Sequence, residues 1–346
     1  MRAKKRGAVV ATAAVAVVAV AGSAWAYFAL ASNTDTGGFT ARSLTEALTP
    51  AGAPASSTSV TVTWSLPASQ VPGAQYVVTN TVDNHTACTV ASTVTSCTDT
   101  AAVPGVANTY RIAAALSGSS WTSTGTTFTT AATPPLLVIA RTTSTALVAG
   151  TAFPVNVTAK KGSPLVTDAS YTGNKTVAWS GFTNSPDGTA PVYPATTLAF
   201  SGGVSATVNV TTFTAGSQTL SVTSGSSSGS ATYTVSAAGA ALRFTSGTPS
   251  CDSGSITIDT AGATFTAKVS RDQDVYGNTA SFSGLSNGPV TLSPTSKGTF
   301  SPTTVSFANN GAKESGAFTY TRSGNGNVTL TAALTGYVSG TCSAKQ

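Results

Sequence analysis

The chain has 346 residues, of which 8% are charged, against about 25% in an average soluble domain, so Thr, Ser, Asn and Gly must carry its wetted surface. The formal charge of +6 is no nucleic-acid signal: Arg2, Lys4, Lys5 and Arg6 head the chain, and the other 13 basic residues face 11 acidic ones. No basic cluster larger than Lys160-Lys161 follows, which leaves a polyanion-binding role without an electrostatic footprint.

Behind the cationic head, residues 7–31 carry no charge and are rich in Ala and Val, with Trp25, Tyr27, Phe28 and Leu30 near the end. This pattern predicts an N-terminal hydrophobic helix over residues 1–31, acting as a signal peptide or a transmembrane anchor. The run is long enough for a span of about 20 residues. Gly22 and Ser23 interrupt it, and Ala24-Trp25-Ala26 then offers a small-x-small cleavage site. Cleavage and retention both stay open. Either one puts the remainder outside the cytoplasm, secreted or held at the cell surface with its C-terminal part outside. The membrane is a partner only if the helix is uncleaved.

All four cysteines fall in that exported part, where an even count reads as disulfides. Three pairings exist; the local one joins Cys88 to Cys97 and Cys251 to Cys342. The longer loop, about 90 residues, would restrict the unfolded chain by roughly 4–5 kcal/mol, the shorter by about 3. No Cys-x-x-Cys spacing supports zinc or thioredoxin-like chemistry.

Residues 32–57 lack sustained period-2 or helical patterning and read as a flexible tether whose ends lie roughly 25–30 Å apart. The first domain is expected over 58–132. Val60, Val62 and Trp64 alternate with Thr61, Thr63 and Ser65, giving one buried and one wet face. Further strands are expected over 75–79, 109–115 and 124–130. Trp64, Tyr76, Val103-Pro104-Gly105 and Tyr110 together make residues 55–132 resemble a fibronectin type III domain. That resemblance implies structural roles for Trp64, Tyr76 and Tyr110, the last as a tyrosine corner whose hydroxyl bonds back to the preceding loop. The Cys88–Cys97 pair is foreign to most of that family and would pin a hairpin.

A short stiff linker, Ala131-Ala132-Thr133-Pro134-Pro135, leads to domains expected over 136–237 and 241–346. These two form an internal repeat. Ala149 to Phe153 is echoed by Ala261 to Phe265, Gly173-Asn174 by Gly277-Asn278, and Thr196 to Phe200 by Thr303 to Phe307. Val155, Val157, Val177, Trp179, Phe200, Val208, Val210, Leu220, Val222, Tyr233 and Val235 are expected in one core. Phe244, Phe265, Ala267, Val269, Phe282, Leu292, Val305, Phe307, Phe318, Tyr320, Val328 and Leu330 are expected in the other. Short strands with Gly and Asn turns argue for sandwiches. With Asp274-Val275-Tyr276-Gly277-Asn278, residues 168–174 and residues 214–220, both stretches resemble the bacterial immunoglobulin-like domains of invasin-type surface proteins. The resemblance implies a rod of domains that spaces or displays a binding surface, and it carries over no catalytic residue.

Candidate sites are sparse. His85, the sole histidine, sits in Asp83-Asn84-His85-Thr86 without a nucleophile-elbow motif, and reads as an exposed loop residue. Asp272-Gln273-Asp274-Val275-Tyr276-Gly277 has acids at calcium-loop positions one and three, but Tyr276 and Ser283 stand where ligands are needed; a tight turn is expected. Gly324 to Asn327 and Gly225 to Gly229 open no helix and read as hairpin turns. Lys268 faces away from Phe265, Ala267 and Val269, which disfavours an isopeptide bond. Trp121 and Tyr193 are loop aromatics, with Trp121 expected to pack at a strand start.

The fold expected is therefore all-β, a tandem of immunoglobulin-like β-sandwiches after an N-terminal signal or anchor helix. No catalytic, cofactor or metal residue is assigned and no cofactor is expected. The function expected is a non-enzymatic cell-surface protein, a spacer, adhesive or envelope structural module touching protein or glycan ligands. The alternatives are a carbohydrate-binding accessory protein, and a surface-filament subunit assembled by strand exchange.

Overall fold

The computed structural model describes residues 26–29, 40–44, 47–68, 70–248, 251, 254–258 and 261–345, all as strand, turn or loop with no helix among them. They divide into two compact units, 1–133 and 134–346.

The helix expected over 1–31 lies mostly outside the described residues. At its end, Ala26–Ala29 is extended and pairs antiparallel with Thr40–Ser43. Among the described residues no helix is long and apolar enough to cross a membrane.

The first sandwich has a three-stranded sheet, in the order Leu48–Ser56, Ser59–Ser65, Ser96–Asp99. The facing sheet runs His85–Ala91, Ala74–Asn80, Ala107–Leu116, Thr126–Ala132. Val60, Val62 and Trp64 point inward from Ser59–Ser65 while Thr63 is exposed, as period-2 alternation requires. Trp64 meets Tyr76 edge to face at 5.7 Å, and Tyr110 stacks on Phe128 at 5.7 Å. Leu48–Ser56 corrects the reading of 32–57 as tether. It is paired along Ser59–Ser65, and Leu44 and Ala47 ahead of it are buried in this core. Pro50 and Pro54 hid the strand, but proline is compatible with an edge strand, and this one is the sheet edge. Gly52 has a packing reason: a Cβ there would stand 2.7 Å from Thr130 Cγ2 and 2.9 Å from Phe128 Cε2.

In the second sandwich one sheet runs Leu136–Arg141, Phe153–Lys161, Val204–Ser205, Thr197–Ser201, Gly173–Thr176, with Val166–Thr167 and Val208–Val210 also on Phe153–Lys161. The other runs Leu147–Val148, Ser227–Ser236, Gly216–Ser224, Ala178–Ser180. Val155, Val157, Phe200, Val210, Leu220, Val222 and Val235 are buried between them, joined by Leu137, Ile139 and Leu198. Trp179, Val208 and Tyr233, expected inside, only pack against that core. Gly229 lets the Leu136–Arg141 strand close over the second sheet, because a Cβ there would collide with the Leu137 carbonyl.

The third sandwich pairs Ala241–Thr248, Thr264–Gln273, Phe318–Arg322, Gly298–Ser301 against Ser255–Thr257, Gly340–Lys345, Val328–Ala333, Val290–Pro294, Thr304–Val305. Phe244, Phe265, Phe318 and Tyr320 form an aromatic centre with Phe300. Phe282 is not in it. It is half-buried and lies over the Arg271 guanidinium at 4.5 Å. Arg271 continues the inward phase of Phe265, Ala267 and Val269, as Arg322 continues that of Phe318 and Tyr320; both are fully buried.

Candidate functional site

Asp274 ends the Thr264–Gln273 strand and is completely buried. Its Oδ1 accepts from the amides of Tyr276 and Asn278, both at 2.9 Å. Its Oδ2 accepts from Asn278 Nδ2 and from the Ala238 amide, each at 2.9 Å. Four N–H donors thus satisfy one carboxylate, which orders the turn as an Asx motif. Among the described residues no group of three or more His, Cys, Asp or Glu could hold a metal ion.

This turn is also a joint inside the 134–346 unit. Asn278 Oδ1 accepts from the Ala215 amide at 2.9 Å, and its Nδ2 donates to the Phe213 carbonyl at 2.8 Å. The Asp187 amide donates to Tyr276 O at 3.1 Å. The Tyr276 ring meets Phe213 edge to face at 4.9 Å and packs against the second core. Residues between the sandwiches are bonded too: Ala238 N to Asp274, and Val338 N to the carbonyl of buried Ala240. Part-buried hydrogen bonds and an aromatic plug therefore hold sandwich to sandwich. The sequence echo at Gly173-Asn174 does something else. Asn174 is exposed and belongs to a strand paired with Thr197–Ser201.

Above the joint, a cleft of about 1170 Å³ is lined by Asp187, Arg243, Asp272, Gln273, Lys313 and Glu314, among others. Two of its charges pair, Lys313 with Asp272 at 3.5 Å, while Arg243 donates to Gln273 at 3.1 Å. Lys268 pairs with Glu314 at 3.0 Å in the open, an ordinary surface ion pair.

A second polar centre lies in the first sandwich. Asp99 is buried, and its Oδ2 accepts the Tyr110 hydroxyl at 2.8 Å. The Tyr110 hydroxyl therefore reaches a side chain on the Ser96–Asp99 strand, not the loop before it. Asn108 organises that loop instead, accepting from Val103 N at 2.9 Å and donating to Val103 O at 3.0 Å. Asp99 Oδ1 takes the Ala101 amide at 2.9 Å and His85 Nε2 at 3.0 Å. His85 Nδ1 meets Asp83 Oδ1 at 2.6 Å. His85 is therefore no loop residue; it opens the His85–Ala91 strand, half-buried, with both ring nitrogens on carboxylates. Partial burial pulls its pKa down, but the hydrogen bonds and charges of Asp99 and Asp83 outweigh this and raise it above 6.5. Burial pushes Asp99 up; the Ala101 amide, His85 and Tyr110 outweigh it and hold the carboxyl below 3.8. Burial first, then Asp99, raises Tyr110.

Two disulfides are formed. Cys88–Cys97 joins the two sheets of the first sandwich with Cα atoms 6.5 Å apart, and Cys251–Cys342 lies in the third core at 6.2 Å. Trp121 packs against the first core. Tyr193 stacks on Phe182 at 5.9 Å and accepts the Phe182 amide at 3.0 Å, so these two aromatics form no exposed platform. Gly225 closes the two-residue hairpin between Gly216–Ser224 and Ser227–Ser236. Gly324 to Asn327 instead crosses between sheets, and the carbonyls of Gly324 and Gly326 accept from buried Arg322. Inward phase at a strand end is the signal by which the sequence could have revealed both arginines.

No protein-family model and no curated protein matches the chain. Among solved structures it is similar to invasin, a bacterial integrin-binding protein, at 15% identity over 86% of this chain and 60% of that one, TM-score 0.26. The Escherichia coli adhesin FdeC aligns at 14% identity over 87% of this chain and 97% of that one, TM-score 0.26. A two-domain fibronectin type III segment of chicken tenascin aligns at 12% over 55% and 99%, TM-score 0.24. The structural neighbours are thus bacterial adhesins together with fibronectin type III and immunoglobulin-like domains.

Proposed function

We propose that the chain is a non-enzymatic exported surface protein whose sandwiches act as a stiff spacer that carries adhesive loops. The observation that carries this reading is the joint at Asp274 and Asn278. A buried carboxylate and a buried carboxamide join one sandwich to the next, which supports a spacer that holds its loops at a set distance. Disulfides in two of the three sandwiches fit an oxidising compartment. In this reading the apolar N-terminal run of the sequence exports the chain and, if kept, holds it in the membrane.

The test is protease shaving of intact producing cells, followed by attachment of those cells to glycan and protein surfaces. Surface-accessible chain, and attachment lost when the gene is deleted, is the expected result. A protein confined to the cytoplasm with free thiols would overturn the reading. Glycan-only attachment would favour the carbohydrate-binding alternative.

A further inference from the structure

His85 stands between the two sheets of the first sandwich. Asp99 comes from one sheet and His85 from the other, and three residues beyond His85 the Cys88–Cys97 disulfide joins the same two strands. A neutral imidazole has one donor and one acceptor nitrogen, whereas imidazolium has two donors. Both His85 nitrogens face carboxylate oxygens at hydrogen-bond distance, 2.6 Å to Asp83 and 3.0 Å to Asp99. Only imidazolium satisfies both. In neutral His85 one ring lone pair must face a carboxylate, either that of Asp83 on Nδ1 or that of Asp99 on Nε2, and Asp99, with its side chain 1% exposed, cannot turn to water for relief where Asp83 can.

We propose that Asp83, His85 and Asp99 form a pH-sensitive clasp between the sheets, closed by protonation of His85 and acting in parallel with the Cys88–Cys97 disulfide.

The surroundings set its sign. Asp83 approaches from the turn before His85, Asp99 from the Ser96–Asp99 strand, and Tyr110 reaches Asp99 from Ala107–Leu116. Asn80, opposite His85 in register, is uncharged and donates to Asp99 Oδ2 at 3.4 Å. Arg111 follows Tyr110 and alternates to the exposed face, so among the described residues no Lys or Arg pairs with Asp99. The histidine is raised above 6.5 in the folded chain. Its stabilisation is therefore complete below about 6.5 and is lost as pH rises through the folded-state value. Reduction of the disulfide would leave the clasp, beside the Tyr110 and Asn80 bonds to Asp99, to hold the two sheets here and would expose this dependence.

With a single histidine in the sequence, its ring resonances can be followed by NMR in the full chain. Titration above 6.5 is expected, with a downward move in Asp83→Asn and in Asp99→Asn; Asp83→Asn serves alone if the second fails to fold. Hydrogen exchange in peptides spanning residues 85–99 should quicken from pH 5 to pH 8 beyond the intrinsic chemical rate. The acceleration should be larger in Cys88→Ser/Cys97→Ser and should vanish in His85→Gln. The opening constant should change about tenfold for every unit by which titration exceeds 6.5. Titration at or below 6.5, or the same pH dependence in His85→Gln, would overturn the proposal.

Discussion

The side-chain amide of Asn278 donates to the Phe213 carbonyl at 2.8 Å, from the third sandwich into the second. With the Ala215 amide on its oxygen at 2.9 Å, the carboxamide is satisfied on both sides of the joint. Replacing it by alanine strands Phe213 O, Ala215 N and one donor to Asp274. Each buried orphan costs about 1–3 kcal/mol, so Asn278→Ala should lose roughly 2–4 kcal/mol of coupling between sandwiches. Calorimetry of the full chain should show the transition of residues 134–346 separate into two components. Asn278→Asp should do comparable damage, since a carboxylate cannot donate to a carbonyl.

Arg271 is predicted to tolerate neither Lys nor Met. Its guanidinium donates to the carbonyls of Ala312, Ser286 and Asn309, and to Asn287 Oδ1 and Tyr337 OH, at 2.8–3.2 Å. Phe307 lies 4.0 Å below it. An ammonium has three donors on a point and cannot span that cage. Its acceptors, orphaned at about 1–3 kcal/mol each, should cost Arg271→Met about 3–5 kcal/mol, read as a lower urea midpoint of the shared transition of residues 134–346 with an unchanged first sandwich.

Acid should weaken the first sandwich along a second limb. Asp99 is held below 3.8, so its stabilisation is present above that value and fades as pH falls through the folded one. Tyr110→Phe removes one donor and should cost about 1.5–3 kcal/mol, the range for a hydrogen bond to a charged group. It should also move the acid midpoint upward, because Asp99 loses part of what keeps it ionised. Circular dichroism against pH for the two proteins checks both.

Removing the Cys251–Cys342 bond frees a loop with a sequence separation of 91. The chain-entropy argument puts this at roughly 4–5 kcal/mol, against about 3 for Cys88–Cys97. Thermal unfolding of Cys251→Ser/Cys342→Ser should show the transition of residues 134–346 moved to lower temperature, and the Cys88→Ser/Cys97→Ser chain should lose less.

How far residues alone led depends on what each signal reports. Alternation at Val60, Val62 and Trp64 reports burial directly, and there strand and face agree with the structure. Leu48–Ser56 escaped because its contacts are made by Ala, Gly and Pro, which carry little hydrophobic contrast. Arg271 and Arg322 escaped for the opposite reason. Their charge reads as surface, yet strand phase turns them inward where backbone carbonyls receive them. Phe282 looked like core and became the lid on Arg271. The joint was only half legible: Asp274 to Asn278 was visible as a turn, but nothing in five residues says that Asn278 bonds across to Phe213. The Asp83–His85–Asp99 bridge needs residues from both sheets, a long-range juxtaposition that local spacing does not encode.

The most direct test of the spacer reading is whether the second and third sandwiches tumble as one body. Residual dipolar couplings from the full chain, fitted separately for residues 136–237 and 241–345, decide it. The account predicts one shared alignment tensor, splitting into two in Asn278→Ala. Two independent tensors in the unmodified protein would contradict it, since a hinged joint cannot hold a binding surface at a set distance.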